Sequence, residues 1–148
     1  MRYHHMCVIA SDMDESLKVY RDLLGFEVIH DERYNDIGET GDANAGCKGA
    51  QVRLGLLKGP EGNLLELNQY FIPEVKKLSR EQLGFGYTGI KKFSLEVDNI
   101  DEWLKKVEVA GYEVAADGIT VFTTPSVSYQ TFIFHDPDGT MIQLMEKK

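Results

Sequence analysis

The strongest constraint on this chain is that its sequence is written twice. HMCVIASDMDESLKVYRDLLGFEV (5–28) aligns with KFSLEVDNIDEWLKKVEVAGYEV (92–114), so that Met13-Asp14-Glu15-Ser16-Leu17 falls on Ile100-Asp101-Glu102-Trp103-Leu104 at an offset of 87. Downstream, GPEGNLLEL (59–67) aligns with DPDGTMIQL (136–144) at an offset of 77. Self-similarity on this scale means one supersecondary unit used twice. Each copy reads strand, helix, strand, strand, tight turn, strand.

Local chemistry supports the reading. Asp12 or Asp14 is suited to cap a helix over 12–24 that keeps Leu17, Tyr20, Leu23 and Leu24 on one face, and Gly25 stops it. Asp98 and Asp101 are assigned the same part before a helix over 99–110, with Trp103, Val107 and Ala110 inward and Gly111 as the stop. Gly-Pro-Glu-Gly and Asp-Pro-Asp-Gly are strong turn sequences. Strands are expected near 2–9, 26–32, 50–57, 63–70, 90–97, 112–116, 128–135 and 140–146, with 119–125 a further strand or an extended arm. A first module thus spans 1–72, a linker with a short helix opened by Pro73 spans 73–89, and a second module spans 90–148. The glycine-rich stretch 34–51 reads as a lid or a disordered connection.

Composition excludes several classes. The chain has 148 residues and a formal charge of −8 with no basic run, so nucleic acid is not an expected partner. Its apolar runs are too short to span a bilayer, and no secretory leader is legible after Met1. Two cysteines, Cys7 and Cys47, make no disulfide scaffold. The expectation is a cytoplasmic enzyme or binding protein for a small molecule.

Strand parity assigns the faces. Met6, Val8, Leu65, Leu67, Phe93, Leu95, Ile142 and Leu144 face the helices. His5, Cys7, Glu66, Asn68, Lys92, Ser94, Met141, Gln143 and Met145 face the other way. The repeat sets His5 against Lys92 and Glu66 against Gln143, so four polar residues at equivalent positions are expected to converge. Lys91 falls on the solvated side. Arg53 on the third strand is a candidate for binding a carboxylate or phosphate, or for pairing with a surface acid.

On HMCVIASDMDESLKVYRDLLGFEV, KGPEGNLLELNQY and FIFHDPDGTMIQLME, the chain resembles the vicinal-oxygen-chelate superfamily, which groups glyoxalase I, bleomycin-resistance proteins and ring-cleaving dioxygenases. The resemblance implies an α+β fold of two tandem βαβββ modules forming a curved, mostly antiparallel sheet, and a homodimer. It also implies metal ligands on the first and last strand of each module. Those positions are His5, Glu66, Lys92 and Gln143. A protonated lysine has no lone pair to give a metal. A zinc, nickel or manganese ion would have only His5, Glu66 and Gln143, so none is expected to be tightly held.

Three readings compete. In the first, the chain is a lyase or isomerase of the glyoxalase type acting next to a carbonyl. Glu66 is the base, Lys92 or a weakly held metal the electrophile, and His5 a second acid/base. Gln143, Cys7, Asn68, Ser94 and Arg53 bind substrate. True lactoylglutathione lyase and ring-cleaving dioxygenase activities fit poorly, since Lys92 spoils the metal set. In the second, the chain binds a drug or other small ligand without chemistry, and a Glu66–Lys92 ion pair takes the place of the metal. In the third, Lys92 is a solvated edge lysine. Cys7 as a nucleophile competes with Cys7 as a small buried residue. His4, His30, His135, Tyr70, Tyr129 and Glu96 are secondary candidates with bland alternatives as strand-edge, rim or packing residues.

Overall fold

The computed structural model describes residues 1–116 and 118–148. The chain divides into two compact units, Met1–Lys77 and Leu78–Lys148. Each contains one four-stranded sheet.

In the first unit the elements run β1 (His5–Ile9), α1 (Met13–Leu17), β2 (Glu27–Tyr34), α2 (Gly38–Ala45), β3 (Gln51–Lys58) and β4 (Leu64–Ile72). Sheet order is β1-β4-β3-β2. β1 pairs parallel with β4, while β3 pairs antiparallel with β4 and β2. Asp12 caps α1, its carboxylate accepting from the Asp14 and Glu15 amides. The helix then widens over Lys18–Leu23. The Leu24 amide reaches back five residues to the Val19 carbonyl at 2.9 Å, and Gly25 ends the helix at φ +78°. Met13, Leu17 and Tyr20 are buried with Leu57, Leu65 and Leu67. The stretch read as a lid or a disordered connection contains α2 instead. Gly46 closes α2 in the left-handed conformation, and Asp42 accepts from the Gly49 and Ala50 amides at 2.7 and 2.8 Å. Those two bonds hold the Asp42 carboxyl below its ordinary range.

In the second unit the elements run α3 (Arg80–Leu83), β5 (Lys92–Glu96), α4 (Ile100–Val109), β6 (Thr120–Thr123), β7 (Ser128–His135) and β8 (Met141–Lys147). The sheet order β5-β8-β7-β6 repeats that of the first unit, again with one parallel pair. Ile100, Val107, Phe132, Phe134, Ile142 and Leu144 form its core.

Four expectations are corrected here. The linker helix starts at Arg80 rather than Pro73, because Ser79 and Gln82 form a reciprocal capping box. The cap of α4 is Asn99 rather than Asp98 or Asp101, with Glu146 accepting from the Asn99 and Ile100 amides. Ala110 is exposed. The piece 112–116 makes only an isolated bridge, Val114 to Phe134, because positive φ at Ala116 (+56°) and Gly118 (+94°) turns the chain away. The fourth strand of this sheet is therefore β6. Among the described residues no helix is long and apolar enough to cross a membrane.

Helix α1 lies flush on its sheet. A Cβ at Gly55 would come 2.4 Å from Met13 Cε and 3.0 Å from the Leu67 carbonyl oxygen. Met13 is fully buried and has little room to yield. Gly55→Ala is expected to lower the unfolding free energy by about 1–3 kcal/mol, read from urea denaturation; unchanged stability would mean that Met13 repacks freely.

Candidate functional site

The parallel pairing of first and last strand builds each polar cluster. In the first unit Cys7 pairs with Glu66; in the second Ser94 pairs with Gln143. Both pairs lie on the sheet face away from the helix.

Glu66 is the centre of the first cluster. Its Oε2 is 3.1 Å from His5 Nε2. Its Oε1 accepts from Asn68 Nδ2 at 2.5 Å and from the Cys7 thiol at 3.6 Å. A carboxylate only accepts, so His5 Nε2 carries the proton. His4 Nδ1 lies 2.7 Å from His5 Nδ1. In the neutral ring His5 Nδ1 is then the acceptor and His4 the donor. The resulting chain runs from His4 to His5 to Glu66, leaving about one of the carboxylate's four acceptor directions unused. Parity set His4 aside, yet it adjoins β1 and its ring meets that of His5 edge-on.

Burial, then the Glu66 charge and hydrogen bond, push the Cys7 thiol up to about 11. Cys7 is therefore a neutral thiol near pH 7 and lacks the thiolate a nucleophile needs. Tyr70 is raised as well, mainly by burial, with Cys7 and Glu66 adding to it.

The second cluster is built around Gln143, only 8% exposed, so its amide needs partners at both ends. Oε1 accepts from Lys92 Nζ at 2.5 Å and Ser94 Oγ at 2.8 Å, and Nε2 donates to Thr131 Oγ1 at 2.7 Å. Thr131 was missed from sequence because it lies on β7, reached only through the β7–β8 register. Lys92 is thus not a solvated edge lysine. Lys91 is not free either; its Nζ donates to the Gln82 carbonyl at 2.9 Å. His135 shares a row with Met141 and Lys92. Burial, assisted by Arg80, lowers its pKa against the opposing charge of Asp136.

Arg53 lies on the other face of its sheet from Glu66. Its Nε and Nη2 each donate to Asp31 at 2.7 Å, and Nη1 donates to Asp14 at 2.8 Å. The guanidinium is spent tying α1 to β2 and β3 and is not part of the polar face, which corrects its candidacy as an anion binder.

The donor chemistry does not fit a divalent cation. His5 gives its Nε2 proton to Glu66, and the Gln143 carbonyl already accepts twice, from an ammonium and a hydroxyl. Among the described residues no three His, Cys, Asp or Glu side chains group as metal ligands.

Two predictions follow from these contacts. In a Cys47→Ser background, alkylation of Cys7 by iodoacetamide is expected to titrate at about 11. Adding Glu66→Gln is expected to lower that midpoint without restoring 9.0, since burial persists; an unmoved midpoint would remove the thiol–carboxylate contact. Arg53→Met is expected to cost about 1–2 kcal/mol. Its hydrogen bonds hold the Asp31 carboxyl below the ordinary range. That share of stability is present above the unfolded value of about 3.9 and is lost as pH falls through the lower folded one. The difference between wild type and variant in urea is therefore expected to hold from neutral pH to about pH 5 and to shrink as pH falls below about 4.

A family model described as Glyoxalase/Bleomycin resistance protein/Dioxygenase superfamily matches residues 2–144. The uncharacterized protein YaeR of Escherichia coli (strain K12) is 25% identical over 144 residues, covering 97% of this chain and 95% of YaeR. A glyoxalase family protein from Bacillus cereus superposes with a TM-score of 0.82 at 17% identity, over 99% of this chain and 94% of that one. A mutant of the fosfomycin resistance protein FosX from Listeria monocytogenes, complexed with Mn(II) and 1S,2S-dihydroxypropylphosphonic acid, superposes with a TM-score of 0.63 at 11% identity, over 97% of this chain and 87% of that one. The structural likenesses establish the glyoxalase-like fold of two βαβββ modules, and the family match over nearly the whole length establishes membership: the chain belongs to the Glyoxalase/Bleomycin resistance protein/Dioxygenase superfamily.

Proposed function

We propose that the protein is a small-molecule lyase or isomerase of the glyoxalase type that moves a proton on a carbon next to a carbonyl. The observation that carries this reading is Glu66. Its carboxylate lies on a sheet face without a helix, is 24% exposed, is oriented by His5, and keeps one acceptor direction free. Glu66 takes the α-proton, and the C–H electron pair becomes the C=C bond of an enediolate whose charge rests on the former carbonyl oxygen. The repeat, which sets Lys92 against His5, nominates its ammonium as the electrophile toward such an oxygen. Glu66 returns the proton to the same or the neighbouring carbon. His5, held by His4, keeps the carboxylate in place and serves as a second acid/base.

A non-catalytic, ligand-binding reading has its own support in the second cluster. Every polar atom of the Gln143 side chain is paired within its own unit, as in a structural tie. Deuterium exchange separates the two. α-Hydroxyketones and hemithioacetals of 2-oxoaldehydes are incubated with the protein in D2O, and the α-proton signal is followed by NMR. The catalytic reading expects exchange that Glu66→Gln slows by about 10²–10⁴-fold and Lys92→Met by about 10²–10³-fold. Exchange that survives Glu66→Gln would sink the assigned base. Binding without any exchange would favour the binding protein.

A further inference from the structure

The helix-free face of the first sheet carries a second polar group that the proposed chemistry does not use. Register defines it row by row. Cys7 pairs with Glu66, Glu66 with Leu56, and Leu56 with His30. In the next row Ile9 pairs with Asn68, Asn68 with Leu54, and Leu54 with Glu32. Val52 links Tyr70 to Tyr34 in the third. Directly paired residues share a face. His30, Glu32 and Tyr34 therefore look out on the same side as Glu66, two strand spacings away, which is about 9–10 Å. Leu54 and Leu56 form an apolar floor between them.

The three side chains are bonded to one another. Tyr34 Oη donates to Glu32 Oε2 at 3.1 Å, and His30 Nε2 lies 3.1 Å from the same hydroxyl. A phenol has one proton, and here it goes to the carboxylate. His30 Nε2 must then be the donor to Tyr34, and its Nδ1 the acceptor in the neutral ring. Burial and the Glu32 contact raise Tyr34, so the phenol keeps that proton at neutral pH. Two acceptors, His30 Nδ1 and Glu32 Oε1, have no partner among the described residues. Asn68 Oδ1 is also buried without a donor, but it lies on β4 beside Glu66, two strands from Glu32. Of the other charged groups on this face, Lys58 stands directly opposite Glu27 and is offset by it. The far end of the face thus presents acceptors and negative charge, and what it lacks is a donor.

We propose that His30, Glu32 and Tyr34 form a subsite for an ammonium group, carried on an apolar arm of about 9–10 Å by a ligand whose carbonyl end lies at Glu66. The placement of the carbonyl rests on the proposed function; the acceptor set does not. Glu32 supplies the opposite charge, His30 Nδ1 a directional acceptor, and Tyr34 locks the two together. Leu54 and Leu56 cover the arm.

The test uses three synthetic α-hydroxyketones with the same alkyl arm, ending in ammonium, methyl or carboxylate. Their affinities are measured by calorimetry on wild type and Glu32→Gln, an exposed and conservative change. The ammonium compound is expected to bind wild type about tenfold more tightly than the methyl compound, and the two are expected to bind the variant about equally. A carboxylate compound that binds wild type best, or an ammonium preference unchanged in Glu32→Gln, would overturn the subsite. Proton exchange by wild type on a head group without the arm is followed separately. No exchange with a Glu32-dependent preference intact would remove the Glu66 base and uphold the subsite. Exchange with no ammonium preference would overturn the subsite alone.

Discussion

Each module depends on one pairing, the parallel contact between its first and last strands. β1 and β4 are separated by two helices and two further strands, and β5 and β8 by one helix and two strands, so both contacts are non-local and form only when the intervening chain has packed. Their registers set Cys7 beside Glu66 and Ser94 beside Gln143. A slip of one residue would send each of these side chains into the helix-covered core. The buried Leu65 and Leu67 of β4, and Ile142 and Leu144 of β8, hold the register by the cost of exposing them. The same alternation that builds the core thus aims the chemistry.

On that frame the two modules diverge in electronic character. The first carries a carboxylate that accepts from three side chains. The second carries an amide whose oxygen is capped by an ammonium and a hydroxyl, a centre rich in protons. One repeat thus carries two different hydrogen-bond arrangements at equivalent strand positions. The internal hydrogen bonds that orient these groups also occupy His5 Nε2 and the Gln143 oxygen, two of the positions a divalent cation would need. Lys92 itself offers a metal no lone pair, and its ammonium is held by the Gln143 oxygen.

Much of this was legible in the residues. The offset repeat set His5 against Lys92 and Glu66 against Gln143, and alternation put them on the face away from the helices. The Asp12 cap and the Gly25 stop could be read because capping is local chemistry. The errors share a different cause. Asp98 and Asp101 are as good caps as Asn99 by composition, and Asn99 prevailed because Glu146, from a strand far along the chain, meets the same helix end. Arg53 was left between binding an anion and pairing with a surface acid, and Asp31 and Asp14, from two other elements, decide for the pairing. The glycines of 34–51 hid α2, whose end is fixed by contacts to Gly49 and Ala50.

The sequence by itself determined the two-module plan, the alternation of faces along the paired first and last strands, and the equivalence of Lys92 with His5, because periodicity and repetition are properties of the chain. Only the tertiary structure decided which partners satisfy those residues. It closed Asp31 and Asp14 on Arg53, joined His4 to His5, brought Thr131 to Gln143, and set His30, Glu32 and Tyr34 in rows with Glu66, Asn68 and Tyr70. The reason is physical: hydrogen-bond pairing between strands depends on register and distance, which are fixed when the sheet closes and are not written at any one position of the chain.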